Sequence, residues 1–264
     1  MKPPAFILPV PFDKVCLFVD GENLRHSLID LFSPQFRRED YLPNADWAKL
    51  FEYLAGESGA PTHVRTYWYT VHHLDFKPWQ LPTESASLQR LLCKHKPFAE
   101  RIGADNLQAG ERENTVREIV QELKQLRLRI QHRFEGWTAV QDGITRKVNA
   151  LEFRRAGAIT YNLFSQEFVA EKAVDVKLAT DLLELRSIYD VAVILSGDQD
   201  YVPAVQAIKD SGKRVMNVCF LQRDGRLLPG GARRLNQCTD RVIRFPYARL
   251  LSFMDFSEAA AARL

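Results

Sequence analysis

The chain has 264 residues, of which 46% are hydrophobic and 26% charged, and a formal net charge of +3. These values are typical of a soluble globular protein and allow one large α/β domain, or one domain with an insertion. No segment approaches the ~20 apolar residues that a membrane span requires, and the proline-rich N-terminus lacks the features of a signal peptide. The four cysteines are scattered, so we expect reduced thiols in a cytoplasmic protein without a membrane partner.

The first predicted strand, Lys14 to Val19, is an apolar run typical of a strand buried on both faces. It ends in Asp20, and Gly21 permits a tight turn before a predicted helix over residues 24–32. Asn23 suits the N-cap of that helix. Asp20 is therefore a carboxylate at the carboxyl end of a buried strand.

The next predicted elements are a helix capped by Asp46, which extends to about Gly56, and a strand over residues 62–71. Arg65 and the aromatic side chains of this strand suit contacts with phosphates and stacked bases. Packing within a sheet is the alternative explanation of the aromatic residues.

Residues 72–135 interrupt the alternation of strands and helices, and we interpret them as an inserted helical element. Helices are predicted over 84–95 and 111–134, and the second has an apolar stripe and a basic C-terminal end. The stripe consists of Val116, Ile119, Val120, Leu123, Leu126 and Ile130.

Two short motifs lead to local predictions. The pair His72-His73 has no matching metal ligands, so we expect a loop there. The pair Asp142-Gly143 predicts a hairpin.

Residues 171–183 predict a further helix. Asp175 lies near its start, where the helix dipole favours a carboxylate, so a first-turn cap would also explain it. Asp181 follows six positions later, roughly 240° around the helix axis, so both side chains cannot face one ion directly. Lys172 suits either offsetting the charge of Asp175 or contacting a phosphate.

The segment 189–202 is the most informative. The apolar run Val191–Leu195 predicts a buried parallel strand, and Asp198 and Asp200 follow it. Ligands bind at the carboxyl edge of open α/β sheets. Two carboxylates there repel each other unless a cation lies between them, which indicates a divalent metal. A solvated turn before the next helix is the alternative.

After a predicted helix to Asp210, a strand over 214–220 completes a right-handed crossover. An Arg-rich C-terminal extension follows over residues 221–264. Residues 220–249 contain seven arginines, Arg223 and Arg226 among them, and only two aspartates. A basic surface around an acidic centre suits a phosphate-rich polymer, while solubilising surface charge is the alternative.

Three segments resemble the signature blocks of the NYN-domain family, which belongs to the PIN-like nuclease superfamily. They are V-D-G-E-N at 19–23, E-K-A-V-D-V-K-L-A-T-D at 171–181 and I-L-S-G-D-Q-D-Y-V-P at 194–203. The resemblance covers residues 14–70 and 134–220, and leaves the helical insertion and the C-terminal arginines outside it. It implies a single domain over residues 1–264 with a Rossmann-like, three-layer α/β fold and a mainly parallel central sheet.

The resemblance also implies a metal-dependent ribonuclease. Its metal ligands, for Mg²⁺ or Mn²⁺, would be Asp20, Asp175, Asp198 and Asp200. Asn23 would orient a carboxylate or a metal-bound water, and Asp181 would have a secondary catalytic role. Metal ions held by clustered carboxylates generate a nucleophilic water and neutralise phosphate charge. We therefore expect the four metal-binding carboxylates to converge at the carboxyl edge of the sheet.

The expected partner is nucleic acid, either single-stranded or structured RNA, and a homo-oligomer is compatible with the sequence. The candidate phosphate contacts are Lys172, Arg65, Arg223 and Arg226. We expect the C-terminal arginines and the basic end of the 111–134 helix to line a groove that leads to the carboxylates.

Two alternatives remain. One is a catalytically inactive RNA-binding or scaffolding module of the same fold. The other is a phosphatase of the haloacid dehalogenase type, which requires a second Asp two positions after the first. Glu22 stands at that position.

Overall fold

The computed structural model describes residues 12–33, 35, 42–81, 85–103, 109–228 and 233–256. The strands within them are β1 (Lys14–Asp20), β2 (Asn44–Ala45), β3 (Thr62–Lys77), β4 (Leu151–Asn162), β5 (Glu167–Lys172), β6 (Val191–Leu195), β7 (Arg214–Phe220), β8 (Arg241–Phe245) and β9 (Met254–Asp255). The helices are α1 (Gly21–Phe32), α2 (Trp47–Glu57), α3 (Ser85–Leu92), α4 (Lys96–Ile102), α5 (Ala109–Lys147), α6 (Val174–Glu184), α7 (Val202–Asp210), α8 (Arg233–Cys238) and α9 (Tyr247–Leu251). Two 3₁₀ turns lie at Leu185–Ser187 and Gln199–Tyr201.

The central sheet has seven strands in the order β5-β4-β3-β1-β6-β7-β8. Strand β1 pairs in parallel with β3 and β6, and the pairs β6–β7 and β7–β8 are also parallel. The β4–β5 pair is antiparallel. The predicted mainly parallel α/β sheet is confirmed. Because the chain leaves β1 toward β3 on one side and later returns to β6 on the other, the topological switch point lies between β1 and β6.

The two faces of β1 are covered by different helices. Val15, Leu17 and Val19 belong to one buried cluster with Leu28 of α1 and Leu50 of α2. The intervening residues of β1 point to the opposite face, as strand geometry requires. There α6 packs on β1 and α7 on β7. The chain therefore forms three layers, with the sheet in the middle.

The internal contacts divide the chain into two compact units. The first comprises residues 1–70, 141–156 and 174–264, and the second comprises residues 71–140 and 157–173. The second unit has its own apolar core, in which Val116, Ile119 and Leu123 of α5 are buried. This burial confirms the apolar stripe predicted for the long helix. None of the described helices combines the length and the apolar character that crossing a membrane requires.

Three local predictions are wrong. Strand β3 continues through His72-His73, where a loop was expected, and the N–H of Leu163 donates to the carbonyl of Lys77 at its end. No hairpin forms at Asp142-Gly143, because α5 runs on to Lys147. The predicted helix over 171–183 begins only at Val174, since residues 171 and 172 pair with β4.

The cause is the same in each case: distant contacts outweigh local preference. Trp137, Gln141 and Val148 are buried at helical spacing, so burial of one helix face overrides the turn propensity of Asp-Gly. In β5, Glu171 pairs with Ile159 and Lys172 with Ala158. Strand β4 itself was not predicted, because its sequence has no clear alternation of apolar and polar residues.

Candidate active site

Asp20 ends β1 and is held by three donors. Its Oδ1 accepts a hydrogen bond from the backbone N–H of Asn23 at 3.0 Å, so Asp20, rather than Asn23, is the N-cap of α1. Its Oδ2 accepts hydrogen bonds from Ser196 Oγ at 2.8 Å and from Tyr201 Oη at 3.2 Å. Burial of this carboxyl group raises its pKa to about 6, and the hydrogen bonds only partly oppose that rise.

Strand pairing explains why residues so distant in sequence meet here. In the parallel β1–β6 pair, Val19 lies beside Leu195, so the residues that follow them, Asp20 and Ser196, emerge together at the carboxyl edge. Gly21 allows the chain to turn into α1 at this point, because a Cβ there would lie 2.4 Å from the carbonyl oxygen of Tyr69.

Tyr201 joins two of the predicted acids. Its hydroxyl oxygen lies 2.8 Å from Asp175 Oδ1 as well as 3.2 Å from Asp20 Oδ2. Burial, followed by the charges of these two carboxylates, raises the pKa of Tyr201, so the phenol keeps its proton. A phenol has one hydrogen to donate. At any moment only one of the two carboxylates therefore receives a hydrogen bond from it.

Asp198 is connected to Asp20 through Ser196. The hydroxyl oxygen of Ser196 accepts a hydrogen bond from the N–H of Asp198 at 3.0 Å and donates to Asp20. Asp198 Oδ1 accepts from the N–H of Asp200 at 2.9 Å and so caps the 3₁₀ turn that carries Tyr201. Asp200 itself is exposed.

Asn23 stabilises the segment that leads into the same turn, because its Oδ1 accepts a hydrogen bond from the N–H of Gly197 at 2.7 Å.

Among the described side chains, no group of three or more His, Cys, Asp or Glu residues could hold a metal ion. The convergence of four carboxylates that we expected is therefore not found in these side-chain positions. Which of these residues bind a metal stays a prediction.

Asp181 belongs to a different cluster. It is buried, and its carboxylate accepts hydrogen bonds from Lys177 Nζ at 2.5 Å and from Tyr69 Oη at 3.0 Å. Arg154 lies 3.7 Å from the same carboxylate. Asp181 is thus compensated by positive charge. Its secondary catalytic role stays a prediction.

Three of the four residues predicted to contact phosphates have partners within the protein. Arg65 donates to Glu152 at 2.9 Å, and Arg226 donates to Asp224 at 2.7 Å. Arg223 donates to Tyr247 Oη at 2.9 Å and lies over its ring. Lys172 is an exposed residue of β5 in the second unit, outside the helix in which we expected it. Their contact with a substrate stays a prediction.

Sequence reasoning assigned no role to Tyr201, Ser196 or Lys177. Tyr201 directly follows Asp200 at the start of a predicted helix, where its sequence context indicates no role. The structure shows that it is buried, and the hydroxyl of a buried tyrosine usually has a hydrogen-bonding partner. Nothing in the sequence indicates which partner, because Asp20 and Asp175 are remote from it. Asp20 caps α1, Asp198 caps the 3₁₀ turn and Asp175 lies in the first turn of α6. Helix amino ends attract anions.

No curated protein matches the chain. Among solved structures, a protein of unknown function from Vibrio parahaemolyticus has 13% sequence identity and a TM-score of 0.42, over 90% of this chain and 96% of its own. That TM-score is too low to support any conclusion. The family model described as NYN domain matches residues 101–243, more than half of the chain. The chain belongs to the NYN domain family, a family of PIN-like nucleases.

Proposed function

We propose that this protein is a metal-dependent ribonuclease that hydrolyses phosphodiester bonds at the Asp20 edge of the sheet. The observation that carries the proposal is the pair of carboxylates, Asp20 and Asp175, held on either side of one phenol hydroxyl at the topological switch point. Membership of the NYN family supports a nuclease. The choice of RNA rests on the resemblance of the three sequence blocks to that family.

The residues at this edge suit a hard divalent cation. Two carboxylates that share one phenol proton leave negative charge uncompensated, and carboxylate oxygens are the ligands that Mg²⁺ prefers. Mg²⁺ is commonly bound through one or two carboxylates together with water and substrate phosphates, so a complete set of protein ligands is not required. We propose that Asp20 and Asp175 hold Mg²⁺ or Mn²⁺, with Asp198 and Asp200 as further ligands.

When bound, such a metal lowers the pKa of a water molecule and neutralises charge on the phosphate oxygens. The chain's own residues hold the carboxylates in place. Ser196 and Tyr201 fix Asp20 Oδ2, and Asn23 fixes the Gly197 turn. The amino ends of α1 and α6 favour a phosphate at this edge.

For substrate contacts, we propose that Arg223 and Arg226, with Arg65 and Lys172, bind mainly phosphates. Phosphate contacts release counterions, so affinity for an oligonucleotide should fall steeply and independently of sequence as salt rises. The measurement is the dissociation constant of one oligonucleotide across a series of salt concentrations. An affinity that barely changes between low and high salt contradicts these contacts.

The direct test compares cleavage of single-stranded RNA and of DNA with the same sequence, in Mn²⁺, in Mg²⁺ and in chelator. We expect RNA cleavage with metal and none with chelator. Asp175→Asn should abolish cleavage without disturbing the core, since Asp175 is exposed. Glu184→Gln, an exposed change at the other end of α6, is the matched control and should cleave normally.

One observation favours a second candidate. Because no group of three acids among the described residues could hold a metal ion, an RNA-binding module without catalysis is consistent with the same arrangement. The two functions are separated by the same experiment. Salt-dependent RNA binding with no cleavage in either metal would support the binding module and overturn the nuclease.

A further inference from the structure

A cavity of about 190 Å³ lies beside the candidate active site, within the first unit. Its wall is formed by one side of α1, by the carboxyl ends of β6 and β7, and by residues that follow β7. We call it the α1–β7 pocket. Asn23, Ser196 and Gly197 line it and also belong to the network around Asp20, so the pocket opens directly from that network.

The surface of the pocket combines an apolar wall with a polar rim. Leu195, Val218 and Phe220 contribute apolar surface, and His26, Ser27 and Asp30 of α1 contribute polar groups. No Arg or Lys among the described residues lines it. A phosphate is therefore disfavoured in this pocket, since Asp30 would repel it and no described Arg or Lys of the lining would offset the charge.

An uncharged, planar group with a polar edge matches this surface. A cavity of about 150 Å³ lined by apolar side chains is large enough to bind benzene, so the α1–β7 pocket has room for one heterocyclic ring system. In a nuclease, the substrate supplies such a group next to every phosphate. Base recognition combines apolar ring contacts with hydrogen bonds to the base edge.

We propose that the α1–β7 pocket binds the base of the nucleotide adjacent to the scissile phosphate. This inference rests on the proposed nuclease function and adds to it a base-binding subsite. The amide of Asn23 and the hydroxyl of Ser27 are placed to contact the edge of the base, because both line the pocket. A bound base would hold its phosphate at the Asp20 edge.

A second cavity continues the path away from the carboxylates. It has a volume of about 430 Å³, shares Asp30 with the first, and is also lined by Arg223, Asp224 and Tyr247. Asp224 is paired with Arg226. Arg223 supplies the positive charge that the α1–β7 pocket lacks. Along this surface the carboxylates are therefore followed by the α1–β7 pocket and then by a cavity that carries Arg223, whose guanidinium is a cation available to a further phosphate of a single strand.

The test measures binding of a short single-stranded RNA in chelator, where cleavage cannot interfere. Each nucleotide in turn is replaced by an abasic one. We expect one position at which the loss of the base weakens binding about tenfold, as base contacts with protein typically do. Ser27→Phe, which fills the pocket, should weaken binding of the intact RNA to a similar degree. In this variant the abasic change at that position should have no further effect.

Ser187→Phe is the matched control, because it adds the same ring at an exposed position in the turn that precedes β6, at the opposite edge of the sheet. It should bind like the wild type. Leu227→Glu, an exposed change in the pocket wall, is a second variant that leaves the core untouched and should also weaken binding.

The outcomes separate the two proposals. If the wild type binds no oligonucleotide, the proposed function and the subsite both fail. If the wild type binds RNA but Ser27→Phe and Leu227→Glu bind equally well, with unchanged abasic profiles, only the subsite is overturned.

Discussion

The Tyr201 hydroxyl has one hydrogen and two carboxylate acceptors, and this arrangement should make Tyr201 more important for stability at high pH than at low pH. Hydrogen bonds to charged groups contribute about 1.5–3 kcal/mol, against roughly 1 kcal/mol for neutral ones. We expect Tyr201→Phe to lower the free energy of unfolding by about 2 kcal/mol at pH 8, which lies above the pKa of about 6 of Asp20. The loss should be smaller at pH 5, and denaturant unfolding at both pH values measures it.

Tyr189→Phe is the control for this prediction. Tyr189 is also fully buried, but its hydroxyl donates to the backbone carbonyl of Leu182, which does not titrate. Its removal should cost about 1 kcal/mol at both pH values. Equal, pH-independent losses in the two variants would show that the carboxylates do not depend on the Tyr201 hydrogen bond.

Asp20 should make the free energy of unfolding depend on pH. Its pKa is about 6 in the folded protein and 3.8 in the unfolded chain. Well below pH 3.8 the group is protonated in both states and costs nothing. Between pH 3.8 and about 6, Asp20 is ionised in the unfolded chain but still protonated in the folded protein. Over this range the free energy of unfolding therefore falls by about 3 kcal/mol, at about 1.4 kcal/mol per pKa unit.

Asp20→Asn removes this ionisation while its carbonyl oxygen can still cap α1. As pH rises from 4 to 7, the stability of the variant relative to the wild type should therefore increase by on the order of 2–3 kcal/mol. A pH-independent loss accompanies this change, because the amide NH2 that replaces Oδ2 cannot accept from Ser196 or Tyr201. Denaturant unfolding of both proteins across this range provides the difference. A difference that stays constant with pH contradicts the raised pKa.

Asp198 has a structural role in addition to its proposed catalytic one, because it caps the 3₁₀ turn before α7. Asn caps as well as Asp, while Ala does not. We expect Asp198→Asn to retain wild-type stability and lose cleavage, and Asp198→Ala to lose cleavage and about 1 kcal/mol of stability. Thermal melts and a cleavage assay measure the two effects.

Asp46 provides the comparison, since it caps α2 through the N–H of Lys49 and lies outside the candidate site. Asp46→Ala should lose similar stability and keep its cleavage activity. A cleavage rate for Asp198→Asn equal to that of the wild type would remove Asp198 from the proposed site.

At the scale of elements, the junction between β1 and α1 depends on close approach to β3. A Cβ at Gly21 would lie 2.4 Å from the Tyr69 carbonyl oxygen, which belongs to backbone and cannot swing away. We expect Gly21→Ala to cost about 1–3 kcal/mol, the usual range for overpacking, and to reduce cleavage by displacing Asp20. Chemical denaturation and the cleavage assay together check this.

Gly56→Ala is the matched change. Gly56 lies in α2, and a Cβ there would meet nothing within 4 Å. Alanine should stabilise this helix by about 0.5–1 kcal/mol, because it has the higher helix propensity. A stabilising effect of Gly21→Ala would contradict the prediction that close packing at Gly21 positions the β1–α1 turn.

At the scale of the whole molecule, the strand order places the candidate site. Strands β1 and β6 are neighbours in the sheet although residues 21–190 lie between them in the chain. Asp20 ends β1, and Asp190 directly precedes β6. Asp190 fixes the opposite edge: its carboxylate accepts from the N–H groups of Asp13 and Lys14 and from Lys213 Nζ. The same register that aligns these groups brings Asp20 and Ser196 together at the other edge.

The sequence alone determined the elements whose signals are local. The buried strands β1, β6 and β7 are continuous apolar runs, and Asp46 marks the start of α2 as a cap. Because apolar runs and caps act within a few residues, they can be recognised without the fold. The placement of Asp20 and Asp198 at strand ends followed from the same local patterns.

Only the tertiary structure decided which side chains meet. The hydrogen bonds of Tyr201 to Asp20 and Asp175 join three remote segments, and those of Asp181 to Tyr69 and Lys177 separate it from the other acids. The hydrogen-bonding partners of these buried groups depend on strand register and on how the helices pack against the sheet. Both are set by the burial of apolar surface across the whole first unit, which no local pattern encodes.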